Sequence, residues 1–269
     1  MIPYVRDVSY VSPSSLAQFE TDSVGFYLQR LGPLDMRPER ETTFAMEVGT
    51  GFDFFAKEAT RALLGFAHTA RQANPLAMMR ATVFWRGYVT SGAFNAFLDL
   101  DPVALDVTPG VVERWGVPIR GELDAQLRGP AVFDWKTTGA ESKTGASPKP
   151  GYSSLFDSRE PGDRGPHKKG VLPLEKVDER WASQAGIYHW LQGGGMEEPR
   201  VVFDYVCPWP LKTDTGLASA IRVARYDTHI SLAFMYRLRK RLRDCWAAIQ
   251  ERRVVDPREL GMGEPFYGN

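Results

Sequence analysis

The hexapeptide Val132-Phe133-Asp134-Trp135-Lys136-Thr137 has the β-branched and aromatic residues of a buried strand, yet two of its side chains are charged. Side chains alternate along a strand, so Asp134 and Lys136 project from one face and Phe133 and Trp135 from the other. The stretch Gly121-Glu122-Leu123-Asp124-Ala125-Gln126-Leu127 has the same texture, and Arg128-Gly129-Pro130 supplies turn residues between the two. With that triplet as the loop, antiparallel pairing sets Leu127 opposite Ala131, Asp124 opposite Asp134 and Glu122 opposite Lys136, all four charges on one face. A two-residue turn would instead send the aspartates to opposite faces. The charged face is then either a solvated hairpin surface with an ion pair, or a site.

Directly opposed residues have Cβ atoms roughly 4.5–5.5 Å apart. Two carboxylates at that separation repel unless a positive charge lies between them. Hard oxygen ligands favour Mg²⁺ or Mn²⁺, which keep several waters and use one or two carboxylates plus a substrate phosphate. Such an arrangement suits phosphodiester hydrolysis, with Lys136 orienting the attacking water or stabilising charge on the phosphoryl oxygens.

Around this hairpin the chain divides by texture. Ser12-Pro13-Ser14-Ser15 opens a capped first helix that runs with broken spacing through Leu16, Phe19, Phe26, Tyr27 and Leu31 to Gly32-Pro33. A second helix covers about residues 43–64, with Gly49-Thr50-Gly51 inside it. Intrinsic propensity would not choose glycine there, so close packing or the approach of a ligand is expected. A third helix runs from Pro75 to about Asn95, with Met78, Met79, Phe84, Trp85 and Tyr88 as core. From Val103 short β-branched runs predict antiparallel strands at Val107, Val111-Val112, Val117-Ile119, Leu123 and Val132-Phe133. Residues 139–173, rich in Gly, Ser, Pro and Lys, predict a mobile insertion. Its Lys168 and Lys169 are either solvated or a flap against the phosphate backbone. Then come a helix at residues 179–191, strands at 201–206 and 220–226, and a last helix at about 232–252.

These pieces carry a resemblance. Ser12-Pro13-Ser14-Ser15-Leu16, Gly49-Thr50-Gly51-Phe52-Asp53, Gly121-Glu122-Leu123-Asp124, Val132-Phe133-Asp134-Trp135-Lys136-Thr137 and Gln184-Ala185-Gly186-Ile187-Tyr188 occur in the order of landmarks of the PD-(D/E)XK nuclease superfamily, which the chain resembles in its RecB-like, phage-exonuclease branch. The resemblance implies an α/β restriction-endonuclease-like core, a small mixed β-sheet flanked by helices. It implies one nuclease domain over residues 1–269: a helical part to 100, the catalytic sheet and its helices over 101–255, and the insertion within them. It implies metal ligation by Asp124, Asp134 and the carbonyl of Trp135, catalysis by Lys136, and Gln184 and Tyr188 facing the site or the DNA. Where relatives place a metal-binding histidine this chain has Asp53, itself a hard oxygen ligand, with Glu47 or Glu58 as substitutes if the helix is rotated. The cysteines that hold an iron-sulfur cluster in some relatives are missing, so no cluster is expected.

Composition narrows the partners and the compartment. With 33 basic and 33 acidic residues, any DNA-binding surface must be local. Two cysteines and no opening signal segment predict a reducing, cytoplasmic setting, the host's if the chain is phage-encoded, and no apolar run approaches the roughly 20 residues needed to cross a bilayer. His68, His167, His189 and His229 have no metal-ligand spacing. No Gly-x-x-x-x-Gly-Lys-Ser/Thr occurs, so motor activity would have to come from a partner helicase, and recombination from an annealing protein. The expected function is Mg²⁺-dependent hydrolysis of DNA, as an exonuclease of phage recombination or repair type. The alternatives are a structure-specific endonuclease, or a DNA-binding or assembly module that kept the fold and lost cleavage.

Overall fold

A computed structural model describes residues 7–33, 42–67, 71–137, 179–213 and 216–255. The expected insertion at 139–173, with Lys168 and Lys169, lies outside the described residues.

Ser12 caps α1 (Pro13–Thr21), its hydroxyl accepting from the Ser15 amide while the Ser15 hydroxyl accepts from the Ser12 amide at 2.7 Å. The helix expected to continue to Leu31 is broken at Asp22. This residue ends α1 and caps α2 (Ser23–Leu31), accepting from the Gly25 amide at 2.8 Å. A short acceptor that can bond the backbone two or three residues on competes with helix continuation, which the apolar spacing alone does not reveal.

Thr43 caps α3 (Phe44–Leu64). Its two inner glycines are explained by close packing. A Cβ at Gly49 would stand 2.8 Å from Thr137 Oγ1, and one at Gly51 2.7 Å from Ala81 Cβ. The third expected helix is two, α4 (Pro75–Thr90) and α5 (Ala93–Leu98), separated at Gly92, whose φ of 82° breaks the helical path. Phe84 and Tyr88 are core as expected, but Met79 is 70% exposed.

The strands are β1 (Pro102–Val107), β2 (Val112–Arg114), β3 (Val117–Ile119), β4 (Leu123–Leu127) and β5 (Val132–Thr137), followed by α6 (Glu179–Leu191), β6 (Arg200–Thr213), β7 (Gly216–His229) and α7 (Leu232–Gln250). β2 and β3 form a small ribbon of their own. The others make a five-stranded sheet in the order β1-β4-β5-β6-β7, antiparallel except for the parallel pair β5–β6. The strands from β1 to β5 pair antiparallel as expected, and the parallel pair makes the sheet a mixed one. Between β5 and β6 the chain forms α6, the kind of crossover a parallel pair needs. β6 and β7 outrun the expected 201–206 and 220–226, pairing from Arg200↔His229 to Thr213↔Gly216. Pro208 and Pro210 hide this extension from a sequence reading. Both lie past Val206, where pairing with β5 ends and one edge of β6 no longer needs its amides.

Helices cover both faces of the sheet. Val48, Phe52 and Ala56 of α3, with Phe84, Tyr88, Phe94 and Phe97 of α4 and α5, pack on Ala125, Phe133, Trp135, Val202 and Val223. Leu16, Phe19, Phe26 and Tyr27 of α1 and α2 share the other core with Ile187 and Trp190 of α6, Leu238 and Leu242 of α7, and Val132 and Phe203. The protein is thus a mixed α/β fold with a mostly antiparallel sheet flanked by helices. Among the described residues no helix is long and apolar enough to cross a membrane.

The close packing of α4 on β7 gives a first prediction. A Cβ at Gly87 of α4 would stand 2.5 Å from Ile221 Cβ on β7. Gly87→Ala gains helix propensity of roughly 1 kcal/mol, but the added methyl forces backbone or Ile221 to shift, a cost of about 1–3 kcal/mol. Urea unfolding is expected to show no gain and a net loss of up to about 2 kcal/mol. A variant more stable than the parent would mean that α4 slides freely on β7.

Candidate active site

The expected hairpin register forms. Ala125 pairs with Phe133 and Gln126 with Val132, which extends to Asp124 across from Asp134. On the far side of β4, Leu105 pairs with Ala125 and Val107 with Leu123, so Asp106 stands across from Asp124. Three carboxylates therefore form a row across β1, β4 and β5. The sequence reading missed Asp106, though a lone aspartate within Val103-Ala104-Leu105-Asp106-Val107 is itself out of place in a strand. Its φ of 50° is left-handed, an unfavourable conformation for a residue with a Cβ and the sort of strain that gathers at functional sites.

Two ammonium groups meet this row. Lys57 of α3 lies 2.8 Å from Asp53 Oδ2, one helical turn before it, hydrogen-bonds Asp106 Oδ1, and reaches to 3.6 Å from Asp124 Oδ1. Lys136 donates to Asp134 Oδ2 at 2.5 Å and to Gln184 Oε1 at 2.6 Å. Gln184 Nε2 in turn donates to the Tyr188 hydroxyl at 2.8 Å. The side chains of Asp53 and Asp124 are about 30% exposed, whereas those of Asp106, Asp134 and Lys57 are nearly closed off. The site thus has an acidic mouth and a paired interior, with α3 from one layer and α6 from the other both packed on β5.

The electrostatics show unbalanced negative charge. Burial, and then the Asp124 charge, push the Asp53 carboxyl up to about 7 against the pull of Lys57. Burial holds the Asp134 carboxyl well above the usual carboxylate range; Lys136 opposes this, while the charge of Asp124 and a hydrogen bond to it reinforce it. Burial alone would lower Lys57, but Asp124, Asp53 and Asp106 outweigh it and fix the ammonium form. Tyr188 is raised by burial and by Asp134, Asp124 and Glu122, so its hydroxyl keeps its proton.

Behind the row a buried network fixes β5. The Trp135 amide donates to Asp124 Oδ2 at 3.4 Å, and its indole Nε1 donates to the Tyr88 hydroxyl at 3.1 Å. Tyr88 donates to Asp204, and Arg225 closes on both Asp204 oxygens at 2.6 Å while donating to the Ala96 carbonyl at 2.8 Å. Asp204 and Arg225 are buried beneath the sheet and form no part of the sequence reading.

The structure brings Asp53, Asp124, Asp134, Lys136, Gln184 and Tyr188 together. Of the two substitutes for Asp53, Glu47 accepts from the Asn74 amide and Glu58 pairs with Arg61. Tyr188 is buried, and a Cβ at Gly121 would stand 2.8 Å from its ring. The sequence motifs thus meet in space: Gly49 on Thr137, Gly121 on Tyr188, Gln184 on Lys136. Among the described residues no three Asp, Glu, His or Cys side chains converge into a ready-made metal cage. The physical reason is Lys57, whose ammonium stands between Asp53, Asp106 and Asp124. The donors that remain open, carboxylate oxygens carrying more negative charge than their lysines cancel, still suit a hard divalent cation.

No protein-family model matches the chain, and no curated protein matches it in sequence. Its fold is similar to the crystal structure of a candidate exonuclease from Eubacterium rectale, with a TM-score of 0.52 and 14% identity over 95% of this chain and 83% of that one.

Proposed function

We propose that this protein is a metal-dependent DNA nuclease of the PD-(D/E)XK superfamily, an exonuclease of phage recombination or repair type. The observation that carries the proposal is the junction of Asp124, Asp134 and Lys136 with Gln184: two carboxylates across from one another on β4 and β5, and an ammonium held beside them by a glutamine from another element. Asp124, Asp134 and the Trp135 carbonyl would hold Mg²⁺ or Mn²⁺. In a strand the amide and carbonyl of one residue point to the same edge, and the Trp135 amide points at Asp124. The cation, when bound, supplies Lewis acidity toward a phosphoryl oxygen and toward water.

The chain's own residues do the rest. Lys136 brings a charged donor to a phosphoryl oxygen as negative charge grows there, and its two acceptors fix where it points. Gln184 is aligned by Tyr188, whose bound proton keeps a neutral group against the acidic row. Trp181 and Phe203 lie 5.9 and 5.7 Å from the Lys136 ammonium and give that side of it an aromatic wall. The likeness of fold to a candidate exonuclease agrees with this reading.

The test is incubation of end-labelled linear, nicked and closed circular DNA with Mg²⁺ and, separately, with chelator. Digestion of linear DNA from its ends, sparing closed circles and stopped by chelator, is the expected result. Cutting of closed circles would replace the exonuclease by an endonuclease. No cleavage with either Mg²⁺ or Mn²⁺ would leave a binding module on the same fold.

A further inference from the structure

The nuclease reading leaves Lys57 without a role. It is a side chain only 5% exposed, on the helix that also carries Asp53, with its ammonium among three carboxylates. A buried charge is tolerated only when it is paired, and this one is paired three times over. Asp106, its hydrogen-bond partner, takes the left-handed φ of 50° near the end of the edge strand β1.

The position of the ammonium matters as much as its presence. Lys57 Nζ lies 3.6 Å from the oxygen Oδ1 of Asp124, while Oδ2 of the same carboxylate faces the Trp135 amide. Asp124 therefore divides the site, with Lys57 on one side and the Asp134–Lys136–Gln184 group on the other. In hydrolases that use two metal ions, a shared carboxylate bridges cations about 3.5–4 Å apart. Here a covalently tethered cation, Lys57, stands on one side of Asp124.

We propose that Lys57 is a resident cation standing in for a second metal ion, so that the site takes a single divalent cation, beside Asp124 and Asp134, and Asp53 holds Lys57 instead of a metal. The proposal rests on the nuclease reading and adds to it a stoichiometry and a residue. Lys57 is a positioning residue: it keeps Asp53, Asp106 and Asp124 together in the absence of metal and leaves Asp124 Oδ2 to the one exchangeable ion.

The experiment is titration of the full chain with Mn²⁺ alone, read by calorimetry for the number of ions bound and by electron paramagnetic resonance for coupling between neighbouring ions. One ion per chain with an uncoupled spectrum is expected for the parent. Lys57→Met is expected to bind two ions with a coupled spectrum, to melt at a lower temperature in chelator, and to recover on adding Mn²⁺. Should Lys57→Met fail to fold, Lys57→Met/Asp106→Asn removes one charge of each sign and is expected to bind a second, weaker ion. A parent that binds two ions and cuts DNA overturns this inference and leaves the nuclease reading standing, as does a folded variant that still binds one. A parent that neither binds Mn²⁺ nor cuts DNA overturns both.

Discussion

Asp134→Asn is expected to lower Mg²⁺-dependent cleavage of linear duplex DNA by about 100- to 1,000-fold or more, the scale on which loss of one preorganised electrostatic contact is felt in a water-poor site. Asp134 stands at the centre of the site: its carboxyl is buried, bonded to Lys136 at 2.5 Å, and across from Asp124. The amide keeps the shape and removes the charge, so circular dichroism should be unchanged. Because burial and Asp124 already hold the Asp134 carboxyl above the usual range, neutralising it relieves a repulsion and the melting temperature should not fall. Asp124→Asn and Lys136→Ala are expected to lose activity on the same scale. Near-parental rates in either aspartate variant would move the chemistry elsewhere.

The second large effect is on stability. Arg225 and Asp204 form a buried pair, with Arg225 also donating to the Ala93 and Ala96 carbonyls of α5. Arg225→Met leaves the Asp204 carboxylate and those carbonyls without their main donor, and breaking a buried pair from one side costs about 3–5 kcal/mol. Urea unfolding should show a loss of that size. Asp204 also accepts from Tyr88, which accepts from the Trp135 indole, so cleavage should weaken as well, through misplacement of β5. A loss below about 1 kcal/mol would mean that water replaces the guanidinium, contrary to its burial.

What could be read from the sequence was what depends on neighbours along the chain. Ser12 and Thr43 announce their helices through local hydrogen bonds, and the Arg128-Gly129-Pro130 turn fixes which residues of the hairpin face each other. Asp124, Asp134 and Lys136 were legible because strand alternation alone puts them on one face. Asp106 and Lys57 were not, since they reach the site through pairing of β1 with β4, strands about 20 residues apart in the chain, and packing of α3, whose Lys57 is 49 residues from Asp106. The pair Asp204–Arg225 was hidden for the same reason, each residue looking like an ordinary polar position in a strand. Breaks at Asp22 and Gly92 depended on single residues against a continuing apolar pattern.

Helices α1 and α2 belong to one core and α3 to α5 to the other, so the first hundred residues clasp the sheet from both sides. That arrangement governs how the chain can be divided. A piece beginning at β1 would inherit Asp106, Asp124 and Asp134 with Lys136 but without Lys57, and would expose the face that α3 to α5 cover and the part of the other core that α1 and α2 supply. The helical piece would retain Lys57 and Asp53 with nothing to hold them against. Neither fragment is a portable module. Grafting this chemistry onto another protein requires transplanting both layers at once, and a split pair of fragments that regains cleavage on mixing would do so only by rebuilding the whole clasp.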